Sequence, residues 1–297
     1  MGCYVVVVIY LADVFYVQTI QHYLTMEIRE PKLGVAVGRK GCGKTFTTTK
    51  MIKQYVLGNP AKGVPARRAL ILDVNDEFED IKALKQSDIV RFSAHPKIEA
   101  RRIRPFHDNG VRMTLREIQE VLFKILNDYR GGLLLIEDIN RYVSDYLPND
   151  LVGAICTNRH TDTDIILHFQ SIGRISPKIW QNLNWIRFHK ITDDVIKHRN
   201  KFEEKLELLL LVESYINTQY EEGDKRVFTY VDIDDEKVLV KDKARFQKIV
   251  EQYLIANQKK LLVPLTIPNP LIKGSKPLTL EGALKHKTQL LMKQYVE

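Results

Sequence analysis

The fold of this chain is decided by Gly38-Arg39-Lys40-Gly41-Cys42-Gly43-Lys44-Thr45, which matches the pattern G-x-x-x-x-G-K-[ST] at every fixed position. An apolar run precedes it at residues 33–37, and a helical pattern begins at Lys44. In this strand–loop–helix context the pattern binds the phosphates of a nucleotide. The sequence therefore predicts a nucleotide site rather than a glycine-rich turn without a ligand.

The residue types of the loop suit this chemistry. Glycines let successive backbone N–H groups turn inward to form an anion site, and the helix that follows directs the positive end of its dipole there. We expect Lys44 to reach the β- and γ-phosphates of ATP and the Thr45 hydroxyl to hold Mg²⁺. The predicted nucleotide-binding residues are Gly38, Arg39, Lys40, Gly41, Cys42, Gly43, Lys44, Thr45 and Phe46.

Composition allows one large core, or a core with a small annex, since the chain has 297 residues of which 44% are hydrophobic. The net charge is +8, and residues 241–297 carry 11 Lys and Arg against 4 Asp and Glu. Such an excess is typical of a surface that binds a polyanion, and equally of a solvated face or a flexible basic tail. Cys3, Cys42 and Cys156 lack the spacing of a metal site or a disulfide framework, which favours a reducing cytoplasm.

Four regions are predicted along the chain. Residues 1–25 are an apolar extension that is too short and too interrupted for a membrane span. They could form an accessory strand or an arm that contacts a membrane through residues 1–20, or they could belong to an over-long reading frame. A nucleotide-binding core follows at 26–200, then a helical and hairpin extension packed on it at 201–258, and a basic, proline-containing tail at 259–297.

Apolar runs that alternate with helical patterns predict an α/β fold with a mainly parallel central sheet, covered by helices on both faces. After residues 33–37, the predicted strands are 69–72, 89–92, 133–136, 164–169 and 185–189. A capping box at 114–117 starts one helix. A long charged helix is predicted from 191 to about 220, a hairpin at 228–240, and helices at 246–255 and 280–295. The annex is thus a helix, a hairpin and a helix, followed by an extended tail.

Polar residues that follow three of these strands suggest a hydrolytic site. Glu137 and Asp138 follow strand 133–136, and we expect Glu137 to hold Mg²⁺ with Thr45 while Asp138 polarises the attacking water. Gln170 follows strand 164–169, so it should lie beside the acidic pair and orient water or sense the γ-phosphate. The acidic stretch at 73–78 could belong to the same edge of the sheet or start a helix.

Two arginines flank the strand that precedes Gln170. Arg159 and Arg174 lie on predicted loops, and either could act as an arginine finger on the nucleotide of a neighbouring subunit. The predicted catalytic residues are therefore Lys44, Glu137, Asp138 and Gln170, with Arg159 or Arg174 as the finger.

These motifs together resemble those of the FtsK/HerA superfamily of DNA-pumping ATPases, which have the RecA-like (ASCE) P-loop fold. The resemblance rests on the phosphate loop, the stretch 72–78, the Glu137-Asp138 pair, the Asn-Arg-His element at 158–160 and Gln170, and it covers residues 33–255. Pro177 and Asn184 before the next strand extend it to the viral genome-packaging branch. The order Glu then Asp departs from the common Asp then Glu.

The resemblance implies a homo-oligomeric ring, expected to be a hexamer, that hydrolyses ATP with Mg²⁺ and moves double-stranded DNA. In the packaging branch, a viral procapsid vertex would be a further partner, and the location would be the host cytoplasm, with the virion or a membrane as other sites. An assembly ATPase of the filamentous-phage type, a nucleoside or small-molecule kinase, and a nucleotide-binding structural or regulatory subunit with little turnover are the alternatives.

Overall fold

The computed structural model describes residues 30–139, 149–267 and 277–296. An eight-stranded sheet runs through this part of the chain. In chain order its strands are β1 (Leu33–Val37), β2 (Arg68–Leu72), β3 (Ala100–Ile103), β4 (Gly132–Ile136), β5 (Thr163–Phe169), β6 (Trp185–His189), β7 (Phe228–Asp232) and β8 (Lys237–Leu239). The predicted extension at residues 1–25 and part of the predicted tail lie outside the described residues.

The spatial order of the strands is β3-β2-β4-β5-β1-β6-β7-β8. The first six are mutually parallel, and β7 and β8 continue the sheet as an antiparallel pair. Strand β1 lies between β5 and β6, and β5 separates it from β4. The predicted fold class, a mainly parallel sheet flanked by helices, is confirmed.

Helices cover both faces of the sheet, because both faces of its strands are apolar. The helices are α1 (Lys44–Leu57), α2 (Ile89–Ala94), α3 (Leu115–Asp128), α4 (Asn149–Cys156), α5 (Pro177–Gln181), α6 (Leu206–Glu221), α7 (Lys243–Ala256), α8 (Gln258–Leu261) and α9 (Leu280–Tyr295). In β2, Leu70 and Leu72 belong to the core on the side of α3 and α6, whereas Ala69 and Ile71 belong to the core on the side of α1. Burial on both faces is what a parallel sheet requires.

The strand predicted at residues 89–92 is wrong: this segment is α2, and the edge strand is β3 instead. Ile89 and Phe92 are buried while Val90 and Arg91 are exposed. A spacing of three residues puts two side chains on one face of a helix but on opposite faces of a strand. The four-residue segment, with three apolar residues and Arg91, was too short to separate the two periods.

The long helix predicted from residue 191 is also shorter than expected, since α6 begins at Leu206. Residues 195–201 and 203–205 form short 3₁₀ turns, with a non-helical residue at His198. Tertiary hydrogen bonds hold this connection: the Asp193 carboxylate accepts from Ser171 Oγ (2.6 Å) and Gly173 N (2.9 Å). These contacts outweigh the local preference for helix.

The predicted hairpin, formed by β7 and β8, is part of the main sheet. Strand β7 pairs with β6 over five residues, from Trp185↔Asp232 to His189↔Phe228. Helix α6 packs against α7, and α7 packs against α9. The division of the chain at residue 200 remains a prediction, but the sheet itself is continuous across it. None of the described helices is both long and apolar enough to cross a membrane.

Gly34 in β1 gives a test of the packing around the central strand. A Cβ atom at this position would lie 2.0 Å from the Trp185 ring, and the strand cannot move because it is paired on both sides. We expect Gly34→Ala to lower the free energy of unfolding by about 2 kcal/mol or more, measured by urea denaturation. Gly153→Ala in α4 is the control. A Cβ atom added there would have no neighbour within 4 Å, so this change should not destabilise the protein.

Candidate nucleotide site

The phosphate loop connects β1 to α1, and its glycines are required by its geometry. Gly41 and Gly43 have φ values of 79° and 90°, in the left-handed region that favours glycine. At Gly38 the constraint is space, because a Cβ atom there would lie 2.6 Å from His189 Cβ and 2.8 Å from Cys42 Sγ. The predicted loop therefore has the compact backbone that an anion site needs.

Lys44 lies within this loop. Its side chain is 8% exposed, and Nζ donates to the carbonyl oxygens of Gly38 (2.5 Å) and Arg39 (3.1 Å). The ammonium group is thus held by the loop itself, at the N-terminus of α1, where the helix dipole also favours a negative ligand. Phosphate oxygens would be stronger acceptors than these two carbonyl groups.

Arg187 of β6 is hydrogen-bonded to the first turn of α1, directly after the phosphate loop. The sequence did not predict this role. The fully buried guanidinium donates to the Lys44 carbonyl (3.2 Å), to Thr48 Oγ1, and to Nε2 of His189 (3.1 Å). Burial lowers the pKa of His189 well below its ordinary value, so the ring is neutral and can accept this bond. An arginine at an inward position of an otherwise apolar strand was the available signal.

The carboxyl ends of β2, β4 and β5 bring the predicted hydrolytic residues to one edge of the sheet. Asp138 Oδ2 accepts from Gln170 Nε2 (3.1 Å) and from Asn75 Nδ2 (2.9 Å). Gln170 therefore lies beside the acidic pair, in the position that the parallel order implies. Asp138 has a φ of 41°, an uncommon backbone conformation that these two hydrogen bonds accompany.

The stretch at residues 73–78 forms a turn rather than the start of a helix, so that alternative is wrong. The buried carboxylate of Asp73 shapes it by accepting from the backbone N–H groups of Glu77 (2.9 Å) and Phe78 (3.1 Å). As a result, Glu77 Oε2 reaches the phosphate loop and accepts from Thr45 Oγ1 (3.1 Å). This hydrogen bond joins the loop to the acidic edge.

Asp73 also anchors a chain of ion pairs that extends to the surface. Arg102 of β3 donates to Asp73 (2.7 Å) and to Asp76 (2.7 Å), and Arg104 donates to both carboxylate oxygens of Asp76 (2.8 and 2.6 Å). The arginines hold the pKa of Asp76 below its usual range.

Glu137 is the most perturbed carboxyl group of the site. It is 2% exposed, and burial together with the negative charges of Asp73, Glu77 and Asp138 raises its pKa to about 9. The side chain is therefore protonated at neutral pH. A cation placed among these groups would favour the ionised form instead.

The donors at this edge fit Mg²⁺, which prefers oxygen ligands. They are the Thr45 hydroxyl and the predicted ligand Glu137, with Glu77 accepting from Thr45. Within residues 30–139, 149–267 and 277–296, no group of three or more His, Cys, Asp or Glu side chains could hold a metal ion. Phosphate and water oxygens would thus have to complete the coordination, as is usual for Mg²⁺ at nucleotide sites.

The two candidate arginine fingers lie on the loops around β5. Arg174 is exposed and ends the short turn Ile172–Arg174, just beyond Gln170. Arg159 lies in the turn Asn158–Thr161, and its side chain is outside the described part of the structure. Their proposed action on a neighbouring subunit remains a prediction.

The raised pKa of Glu137 predicts a pH dependence of stability. Between its ordinary pKa of 4.5 and about 9, the folded protein holds a proton that the unfolded chain has lost, so the free energy of unfolding should fall as pH rises. Glu137→Gln cannot ionise and should reduce this fall by about 1 kcal/mol per pH unit. Urea denaturation with a metal chelator at several pH values measures it.

The matched control is Glu79→Gln, which changes an exposed carboxylate of the neighbouring turn. It should leave the slope of stability against pH as it is in the wild-type protein. Equal slopes for Glu137→Gln and the wild type would contradict the protonated state of Glu137.

Comparisons with known proteins gave matches to solved structures. No protein-family model matches the chain, and no curated protein sequence matches it. The chain is similar to the genome packaging NTPase B204 from Sulfolobus turreted icosahedral virus 2 in complex with AMP, with 16% identity over 72% of this chain and 99% of that chain, and a TM-score of 0.48. The chain is also similar to B204, the DNA-packaging ATPase from Sulfolobus turreted icosahedral virus. The identity is 17% over 71% of this chain and 97% of that chain, and the TM-score is 0.43.

The N-terminal domain of zonular occludens toxin from Neisseria meningitidis is also similar, with 11% identity over 58% of this chain and 91% of that chain, and a TM-score of 0.33. Two of these three structures are of genome-packaging proteins.

Proposed function

We propose that this protein binds ATP with Mg²⁺ at the phosphate loop and hydrolyses it. The observation that carries the proposal is the meeting of two groups of side chains at one edge of the sheet. The loop offers the cation of Lys44 and the hydroxyl of Thr45, and the neighbouring strand ends offer acidic and amide groups. The Thr45–Glu77 hydrogen bond supports the proposal, because it joins the loop to the acidic edge.

In this mechanism the loop N–H groups and Lys44 bind the β- and γ-phosphates and neutralise charge that develops as the terminal bond breaks. Thr45 and Glu137 would hold Mg²⁺, which would neutralise negative charge on the phosphates. Asp138 accepts a proton from the attacking water, and Gln170 orients that water, because its amide already contacts Asp138. Asn75 fixes Asp138 from the other side.

We further propose that hydrolysis is coupled to the movement of double-stranded DNA by a homo-oligomeric ring, as in genome packaging. The FtsK/HerA-type motifs and the excess of positive charge in residues 241–297 support this proposal. In a ring, Arg159 or Arg174 would complete the site of the next subunit, and a procapsid vertex would be a further partner in the host cytoplasm. Extrusion of a phage, or a structural role with little turnover, would use the same nucleotide site.

Two substitutions test hydrolysis at this site. Lys44→Ala should abolish detectable ATP binding, because it removes the cation within the loop, whereas Glu137→Gln should bind ATP and lower turnover at least 100-fold. Calorimetry and phosphate release measure the two effects. Lys53→Ala on the exposed side of α1 and Glu79→Gln are the controls. Unchanged ATPase activity in Lys44→Ala would contradict the proposal.

Coupling to DNA predicts a second behaviour. Double-stranded DNA should raise the rate of ATP hydrolysis severalfold, and the stimulation should decline steeply with salt because DNA binding releases counterions. Steady-state ATPase assays between 50 and 300 mM salt, with oligomer mass measured in parallel, test this. If DNA has no effect while a nucleoside accepts the phosphoryl group, the kinase alternative is correct.

A further inference from the structure

The order of the strands gives the phosphate loop two different sides. Strands β5, β4 and β2 lie on one side and carry the acidic edge, where the terminal phosphate of a nucleotide would meet Mg²⁺ and water. Strands β6 and β7 lie on the other side. A nucleotide whose terminal phosphate faces the acidic edge must therefore direct its nucleoside end toward the side of β6 and β7.

An exposed aromatic ring stands on that second side. Phe46 follows Thr45 directly in the first turn of α1, and 50% of its surface is exposed. The guanidinium of Arg226 lies 5.0 Å from the ring centroid, and Nζ of Lys50 lies 4.5 Å from it. An accessible ring flanked by cations, one residue from the predicted Mg²⁺ ligand, can stack with a base and attract phosphate.

Arg226 comes from the turn between α6 and β7 and packs against the phosphate loop. Its Cβ, Cγ and Cδ atoms lie 3.6–3.8 Å from where a Cβ atom would stand on Gly43. No carboxylate within the described residues forms an ion pair with Arg226, whose side chain is exposed. The loop thus has an arginine of the same chain beside it whose charge is not neutralised by an acidic neighbour.

A second ring completes this side of the loop. Tyr220, at the end of α6, has three cations near its ring: Arg39 of the phosphate loop at 5.7 Å, Lys190 after β6 at 5.8 Å, and Lys225 at 4.2 Å. These residues come from three separate segments of the chain. Like-charged side chains converge in this way where a polyanion is to be bound.

We propose that Phe46, Arg226 and Tyr220 with its cations form the nucleoside subsite of the bound nucleotide, an inference that rests on the proposed function. The base stacks on Phe46, which requires Arg226 to leave the ring, and the guanidinium then pairs with the α-phosphate beside Gly43. Tyr220 holds Arg39 and Lys225 at the rim of the site. The ligand class is a nucleoside triphosphate recognised by stacking and charge.

A comparison of ATP with inorganic triphosphate separates the nucleoside end from the phosphate end. We expect Phe46→Ala to weaken ATP binding about tenfold, as one stacked base contributes, and to leave triphosphate binding unchanged. Phe46→Trp should restore ATP affinity. Arg226→Met, which keeps the aliphatic stem, should weaken ATP binding about fivefold. Calorimetry with Mg²⁺ gives the dissociation constants.

Leu57→Ala is the matched control, since Leu57 is an exposed apolar residue at the other end of α1. If Phe46→Ala weakens the binding of ATP and of triphosphate by the same factor, Phe46 acts through the phosphate loop. That result would overturn the proposed subsite. Unchanged ATP affinity in Phe46→Ala would also overturn the proposed subsite. If the variant changes only the oligomer mass, Phe46 belongs to a contact between subunits instead. Failure of the wild-type protein to bind either ligand would instead overturn the proposed function.

Discussion

The position of the phosphate loop depends on the hydrogen bonds of one buried guanidinium group, that of Arg187. A charge that is removed from water costs several kcal/mol unless hydrogen bonds replace its hydration. Here the replacements are the Lys44 carbonyl, the Thr48 hydroxyl and the neutral ring of His189. Strand β6 is thereby bonded to the first turn of α1, which fixes where the phosphate loop stands above the sheet. The same buried cation adds positive potential beneath the loop where we propose that phosphates bind.

Because the phosphate loop is held in this position, positive and negative side chains face each other at the edge of the sheet. The loop side carries Lys44, and the strands on its other side end in Asp73, Glu77, Glu137 and Asp138. The negative charges of Asp73, Glu77 and Asp138 act on Glu137, and a proton on Glu137 relieves part of that repulsion. The hydrogen bond from Thr45 to Glu77 has a related effect, because it gives one carboxylate a donor from the loop. Lys44, Thr45, Glu77 and Asp138 therefore each have a hydrogen-bond partner within the chain.

Sequence patterns predicted the features that a motif or the parallel order of the strands implies. The phosphate loop, the capping box at Thr114, and Gln170 beside Asp138 follow from spacing, side-chain chemistry and parallel strand order. The predictions for residues 89–92 and 191–205 were wrong because short runs carry both periods, and because tertiary bonds such as those of Asp193 override helix preference. Arg187 and Glu77 could not be assigned a role from sequence. Only the folded sheet brings them to the phosphate loop, where they bond to the Lys44 carbonyl and the Thr45 hydroxyl.

The two sides of the loop are also built by different parts of the chain, and this bears on how the protein is divided. The acidic side is formed by parallel strands that are complete before residue 170. The aromatic and basic side depends on Tyr220 and Arg226, which lie beyond residue 200, where the sequence suggested that the nucleotide-binding core ends. Strand β7 is paired with β6 along its full length, so the turn that carries Arg226 is fixed relative to the loop. A fragment that ends at residue 200 would keep the phosphate loop and the acidic edge but lose this second wall, and it would expose the open edge of β6. The proposed nucleotide site therefore needs the antiparallel strand β7 as well as the parallel part of the sheet.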